Sequence, residues 1–346
     1  MMKIGNFDFF QNKETYIVAE LSANHNQDIK IALDTIKAAK EIGCNAVKIQ
    51  TYTPDTMTID CSQKDFLIKG TIWEGDRLYS LYQKAYTPWE WHKELFDFAK
   101  KIGITIFSTP FDKSSVDFLE KLDVPSYKIA SFEITDIPLV KYVAKKNKPI
   151  ILSTGIAEKE DIDLAVSTIL DEGNSEIILL QCTSSYPTPL DQANLNLITQ
   201  LKNDYNFISG LSDHTPGYLC PVIAVTLGAR LIEKHFILDK SIGGPDSSFS
   251  LDKKEFKLMI DKIRNTEKAL GKASYALTNK QLEGKYFSRS LYIVKDVKKG
   301  DMVTKENIRS IRPGFGLHPK YFDLVLNKKF IEDFKKGTRL SLNLIK

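Results

Sequence analysis

Phe207-Ile208-Ser209-Gly210-Leu211-Ser212-Asp213-His214 and Leu231-Ile232-Glu233-Lys234-His235-Phe236 both begin apolar and finish in polar, reactive side chains. A strand that is apolar along its length and chemically equipped at its carboxyl end is the layout of a (β/α)8 barrel, whose active site lies at the carboxyl-terminal mouth. The chain has five histidines, and two of them close these runs. Six further short runs, most of them rich in Ile, Val, Leu and Phe, precede them: Tyr16–Leu21, Ala46–Thr51, Thr105–Thr109, Ser126–Ala130, Pro149–Thr154 and Glu176–Cys182. Short apolar runs of this kind are what parallel strands buried on both faces require.

Helical periodicity separates the runs. Leu95, Phe98, Ala99 and Ile102 recur at three- and four-residue steps, as do Ile162, Ala165, Val166, Ile169 and Leu170, and Phe256, Met259, Ile260 and Ile263. Gly43, Gly103 and Gly228 stand just past helical stretches, where a left-handed cap is wanted. Regular β/α alternation favours a closed barrel over residues 1–271. Residues 272–287 are polar and weakly periodic and read as a linker. Residues 288–346 read as a small β-rich domain, with strands expected at Ser290–Val294 and Thr338–Leu342. The stretch from Pro54 to Pro88 breaks the rhythm; it is either a functional lid or a helical excursion without a role.

Bulk composition narrows the function classes. The 346 residues carry a formal charge of +4 with Lys and Arg scattered among Asp and Glu, which argues against nucleic-acid binding. No apolar run approaches the ~20 residues that span a bilayer, so no membrane association is expected. Cys44, Cys61, Cys182 and Cys220 lack metal-type spacing, and residues 1–20 lack a secretory pattern, so a soluble cytoplasmic protein with reduced thiols is expected.

Alternate residues of a barrel strand share a destination. Glu20, the pair Lys48 and Gln50, Ser108 and Thr109, Lys128 with Ser131 and Glu133, Ser153 and Thr154, Thr183 and Ser184, Ser212 with His214, and Glu233 with His235 therefore converge on one mouth. Two lysines among many hydroxyls make an inventory for phosphate or carboxylate. His214 and His235 can ligate a divalent metal with open positions left to water or substrate, or serve as acid/base or hydrogen-bonding groups. Glu20 is an acid/base candidate or one half of a structural ion pair.

These motifs resemble the sialic acid synthase family, the phosphoenolpyruvate-dependent nonulosonate synthases. The resemblance rests on Tyr16 to Asn26, Val47-Lys48-Ile49-Gln50, Phe107-Ser108-Thr109-Pro110, Lys128-Ile129-Ala130-Ser131 and Ser153-Thr154-Gly155. It continues through Cys182 to Pro187, Gly210 to Thr215, Glu233-Lys234-His235-Phe236, Gly244-Pro245-Asp246 and Ile311-Arg312-Pro313-Gly314. It implies a TIM barrel followed by an antifreeze-like (SAF) domain, working as a domain-swapped homodimer that needs a divalent ion: Mn2+, or Mg2+ or Co2+. His214 and His235 would then be the metal ligands. Lys48, Thr109, Lys128, Ser131, Ser153, Ser184 and Ser212 would hold phosphoenolpyruvate. Gln50, Glu133, Tyr186, Asp246 and Phe287 would line the pocket for an N-acyl amino sugar, with Arg312 reaching in from the SAF domain of the partner protomer. Glu20 would help activate the water that adds at C2 before phosphate leaves by C–O cleavage.

Leu21-Ser22-Ala23-Asn24-His25 and Ser247-Ser248-Phe249-Ser250 depart from the spellings of the N-acetylneuraminate branch and resemble those of the pseudaminic acid branch. That branch condenses 2,4-diacetamido-2,4,6-trideoxy-L-altrose, whose terminal methyl suits an apolar lining that Phe249 would supply. Ser184 also stands where the neuraminate branch has Asn. N-acetylneuraminate or legionaminate synthesis is the alternative within the family. Outside it stand a metal-dependent barrel hydrolase, for which Asn24-His25-Asn26 is a poor match to His-X-His, and a non-catalytic sugar- or ice-binding protein, which leaves the polar strand ends without a role.

Overall fold

The computed structural model describes residues 2–346. Eight parallel strands close a barrel in chain order. They are β1 (Tyr16–Glu20), β2 (Ala46–Thr51), β3 (Thr105–Pro110), β4 (Tyr127–Ile129), β5 (Ile150–Ser153), β6 (Ile177–Cys182), β7 (Ile208–Asp213) and β8 (Leu231–His235). Closure comes from β8 pairing with β1, which sets His235 beside Glu20 and Glu233 beside Val18. Each strand matches its expected run to within a residue or so at either end.

The register separates two destinations along every strand. Tyr16, Val18, Ala46, Phe107, Ile151, Ile178, Leu180 and Leu231 point inward and form one buried cluster. Outward neighbours such as Ile17, Val47, Leu152 and Leu179 pack beneath the helices in two larger clusters. Gly210 lies on the inward face where β7 meets β8, and a Cβ there would sit 2.3 Å from the Leu231 carbonyl oxygen. Only glycine permits that approach.

At the amino-terminal end of the barrel, Lys3–Ile4 and Phe7–Asp8 form a small antiparallel hairpin. Its Met2, Ile4 and Phe9 join the interior cluster and plug the barrel from below. Phe7 meets Phe9 and Tyr16 edge-on, with ring centroids 5.0 and 4.8 Å apart.

The surrounding helices begin and end on local signals. Asp28 and Asp112 cap their helices through side-chain oxygens, and Asp252 with Glu255 builds a capping box for the long helix Lys253–Leu270. Gly43 and Gly103 close theirs at φ 97° and 72°, as the sequence suggests. Among the described residues no helix is long and apolar enough to cross a membrane.

The chain divides into two compact units, the first ending at Gly271 and the second running Lys272–Lys346. In the second, Lys272–Phe287 is exposed but not structureless: Thr278 and Gln281 cap a short helix, Asn279–Gly284, and a 3-10 turn follows at Lys285–Phe287. β9 (Ser290–Ile293) pairs antiparallel with β10 (Ile308–Ile311) over a core that includes Leu291, Ile293, Val303, Ile308, Phe330 and Leu340. The strand expected at Thr338–Leu342 does not form. Arg339 makes an isolated bridge to Tyr292, and the chain then turns into a 3-10 helix at Leu342–Leu344. β10 escaped the sequence reading because its apolar residues, Ile308 and Ile311, are three apart and break the two-residue period.

Candidate active site

Four charged side chains from four strands meet at the carboxyl-terminal mouth, all of them buried. Lys48 Nζ lies 3.0 Å from Glu20 Oε2 and 3.3 Å from Glu233 Oε1, and it donates to Thr109 Oγ1 at 3.2 Å. Lys128 Nζ donates to the same Glu233 oxygen at 2.8 Å, and Ser212 Oγ donates to it at 3.2 Å. The lysines are therefore not free cations. They belong to an alternating set of two ammoniums and two carboxylates that is neutral as a whole, which is what allows it to be buried.

The two carboxylates differ in kind. Burial would raise the pKa of Glu233, but the ammoniums of Lys128 and Lys48 hold it down to about 2, so it is a fixed anion. Burial dominates at Glu20 and raises its pKa, with Lys48 opposing and Glu233 reinforcing. Two carboxylates pushed apart in this way separate a proton carrier from an electrostatic support. Burial lowers the pKa of Lys128, whereas at Lys48 the two carboxylates outweigh burial and raise it.

Beside this set stand the imidazoles of His214 and His235, ring centroids 5.4 Å apart. His214 Nδ1 lies 3.1 Å from the Thr183 carbonyl oxygen, which can only accept. That contact assigns a proton to Nδ1 and leaves Nε2 as the nitrogen that would bind a metal; burial would lower the pKa of this ring, but Cys182 and the Thr183 carbonyl outweigh it and raise it. His235 Nδ1 is buried without a hydrogen-bond partner within the protein. Burial, with His214 adding to it, pushes the pKa of His235 far down, so its ring is neutral. Two imidazoles on adjacent strand ends, each with a nitrogen that no protein group takes up, fit a pair of ligands for one divalent ion. Among the described residues no group of three or more His, Cys, Asp or Glu is arranged for that task. Any such ion would therefore be open to substrate or water at its other positions.

A third feature is a nest of small polar groups at the ends of β4, β5 and β6. Ser131 Oγ accepts from the Gly155 backbone N–H at 3.0 Å. A Cβ on Gly155 would lie 2.4 Å from Ser184 Oγ, 2.7 Å from Ser131 Oγ and 2.9 Å from Cys182 Sγ, so glycine is what leaves this cradle open. Ser153 Oγ is buried without a partner within the protein. Hydroxyls and backbone donors facing two lysines form an oxyanion cradle.

Opposite the nest, Asp246 Oδ2 accepts from Ser22 Oγ and from the Ala23 backbone N–H at 3.3 Å. Gln50 Nε2 links this group to the charged set, donating to Ser22 Oγ at 3.0 Å and to Glu20 Oε1 at 2.9 Å. Tyr186 lies 4.4 Å from His214 and 5.2 Å from Phe249, which is itself 4.9 Å from His235 (ring centroids). Burial raises the Glu133 carboxyl to about 7, and its Oε2 is buried without a hydrogen-bond partner within the protein.

Family membership can be read against this geometry. Residues 35–275 match the model of the NeuB family, and residues 288–346 match that of the SAF domain. The chain belongs to the NeuB family. It is 50% identical to the pseudaminic acid synthase of Campylobacter jejuni over 98% of both chains. It is 36% identical to the N,N'-diacetyllegionaminic acid synthase of Legionella pneumophila over 94% of this chain and 93% of that one. The crystal structure of the N-acetylneuraminic acid synthetase of Leptospira borgpetersenii, in complex with citrate, superposes with a TM-score of 0.72 at 30% identity, covering 82% of this chain and 94% of that one.

Within this NeuB barrel the mouth gathers Glu20, Lys48, Gln50, Thr109, Lys128, Ser131, Glu133, Ser153, Ser184, Tyr186, Ser212, His214, His235, Asp246 and Phe249. Phe287 and Arg312 belong to the second unit, where both are exposed. The sequence reading named Glu233 as an inward residue without giving it a role, although the two-residue step to His235 was the signal for it. Ser22, Gly155 and Trp73 stand in stretches the sequence singles out, but their contacts are to residues distant in sequence and have no local signal.

Proposed function

We propose that this chain catalyses the pseudaminic acid synthase reaction, condensing phosphoenolpyruvate with 2,4-diacetamido-2,4,6-trideoxy-L-altrose. The observation that carries the reading is the juxtaposition, in one mouth, of an anion cradle around Lys48 and Lys128 with the paired imidazoles of His214 and His235. The 50% identity to the Campylobacter jejuni enzyme, against 36% to the legionaminic acid synthase, supports the choice of sugar. So does the apolar wall of Tyr186 and Phe249 beside the histidines.

Lys48 and Lys128 donate to the phosphate and carboxylate of phosphoenolpyruvate, and Thr109, Ser131, Ser153, Ser184 and Ser212 supply further directed donors. Gln50, Glu133, Tyr186, Asp246 and Phe249 orient the sugar in its open-chain form. A divalent ion held by His214 and His235, Mn2+ or a similar metal, supplies Lewis acidity toward the aldehyde oxygen. C3 of phosphoenolpyruvate forms the new carbon–carbon bond with the aldehyde carbon, and positive character develops at C2. Glu20, a carboxylate paired to Lys48 and made more basic by burial, takes the proton of the water that adds at C2. Inorganic phosphate then departs by C–O cleavage, leaving the 2-keto acid.

The reading is tested by incubating the purified protein with phosphoenolpyruvate, Mn2+ and each candidate sugar, with mass detection of the product. Turnover of N-acetylmannosamine without turnover of the trideoxy sugar overturns it. The protein is taken to act as a homodimer in which Phe287 and Arg312 of one protomer complete the partner's sugar pocket. Mixing Arg312→Ala with Lys128→Ala protein should then restore about a quarter of wild-type activity through hybrid dimers with one intact site. No restoration after subunit exchange refutes the swap.

A further inference from the structure

The excursion between β2 and β3 has a shape that serves the site. After the helix Pro54–Met57 and a 3-10 turn at Lys64–Phe66, it folds into a hairpin. Leu67 bridges Arg77, the Ile68 N–H donates to the Asp76 carbonyl at 2.9 Å, and the Gly75 N–H donates back to the Ile68 carbonyl at 3.1 Å. Gly70 and Gly75, at φ 68° and 94°, turn the tip around Thr71–Glu74. Arg77 anchors the base through Asp60, Nη1 to Oδ1 at 2.9 Å.

At the tip Trp73 is half-buried, although the rest of the turn is exposed. Its indole Nε1–H donates to the Pro245 carbonyl at 3.0 Å, immediately before Asp246. Its ring lies 5.8 Å from that of Tyr186, the side chain that touches His214. Trp73, Tyr186 and Phe249 thus form a continuous aromatic wall ending on the two histidines. The single donor of the indole is spent on Pro245, so the face it turns to the pocket offers apolar contact alone.

We propose that Trp73 is a specificity-determining residue, the outer panel of an apolar wall that favours a sugar ending in methyl over one ending in hydroxymethyl. This rests on the sugar-condensing reading above. A methyl against the three rings keeps its contacts, whereas a hydroxymethyl there loses water and finds no partner on the indole.

The experiment measures kcat/KM of wild type, Trp73→Phe and Trp73→Ala for the trideoxy sugar and for N-acetylmannosamine, with KM for phosphoenolpyruvate as internal control. Trp73→Ala should lower the preference for the trideoxy sugar roughly tenfold, the scale at which an apolar pocket discriminates small groups. The loss should appear in the sugar KM while the phosphoenolpyruvate KM holds. Trp73→Phe, which keeps a ring and loses the Pro245 hydrogen bond, should fall between. An unchanged preference, or equal damage to both sugars, overturns the assignment. Wild-type protein that ignores the trideoxy sugar altogether sinks the underlying reading instead, and the inference with it. Trp73 sits on a surface hairpin, and a melting curve for each variant separates misfolding from lost selectivity.

Discussion

The two ends of the barrel are made from the same eight strands and share almost no chemistry. At the amino-terminal end, Tyr16, Ala46, Phe107 and Leu231 close on Met2, Ile4 and Phe9 in an apolar plug. A few residues further along the same strands, Glu20, Lys48, Lys128 and Glu233 form a buried ionic set beside two histidines. One end is held by burial of apolar area, worth roughly 25 cal/mol per Å². The other holds charges that burial disfavours and that persist only because each is paired. Stability and chemistry are thus assigned to opposite ends, and the hydrophobic interior keeps them apart.

The sharpest break of this contrast is His235→Ala. If the mouth carries the reaction, turnover should fall on the order of a thousandfold, the several kcal/mol that a Lewis acid contributes, with the unfolding transition little changed. Chelation of divalent ions should inactivate wild-type protein to a similar degree, reversibly on adding Mn2+. Steady-state assays with and without chelator check both, and full activity after exhaustive chelation removes the metal from the account.

The converse variant lies at the plug. Phe9→Ala deletes a buried ring that packs among Met2, Ile4 and Tyr16, and should cost about 3–5 kcal/mol in urea unfolding. Below its transition the variant should keep kcat/KM within about twofold, because Phe9 touches nothing at the mouth. A large kinetic loss with little loss of stability would show that the two ends are not independent.

How much of this was legible depends on which strand face is considered. Strand positions such as Ile150–Ser153 could be read closely because parallel strands buried on both sides are near-continuous apolar runs. The convergence of Lys48, Lys128, His214 and His235 followed from the two-residue period. What the sequence withheld is pairing. Nothing local shows that Lys48 spends its charge on Glu20 and Glu233, or that Ser22 serves Asp246 from 224 positions away. Nor does any local signal carry the Trp73 to Pro245 bond across 172 positions. Such partners are set by barrel closure and by a hairpin folding back, both invisible to periodicity. In the second unit the period itself misled, because β10 has no alternation and Arg339 makes only a bridge.

The smallest effect expected concerns a charge at the mouth that lacks a full partner. Glu133 is surrounded by its own 3-10 turn, by Asp136, by the more distant Lys48 and Lys128, and by Tyr82 from the helix Leu78–Ala85. Burial raises its carboxyl from about 4.5 to about 7. Between those values the native state binds a proton that the unfolded chain has lost, so the Glu133 contribution to stability falls as pH rises through this window and is constant above it. Glu133→Gln removes the titration. Its stability relative to wild type should therefore improve from pH 4.5 to pH 7.5, by on the order of 2 kcal/mol once partial exposure is allowed for. Urea unfolding of both proteins at several pH values measures this, and parallel profiles would mean that Glu133 stays ionised, paired to the lysines more tightly than its unpartnered Oε2 indicates. The contrast between the ends gains from either result. A pH-dependent deficit confined to the mouth, with Phe9→Ala showing none relative to wild type, is what separates a site that tolerates unfavourable buried charge from a plug whose packed interior is apolar.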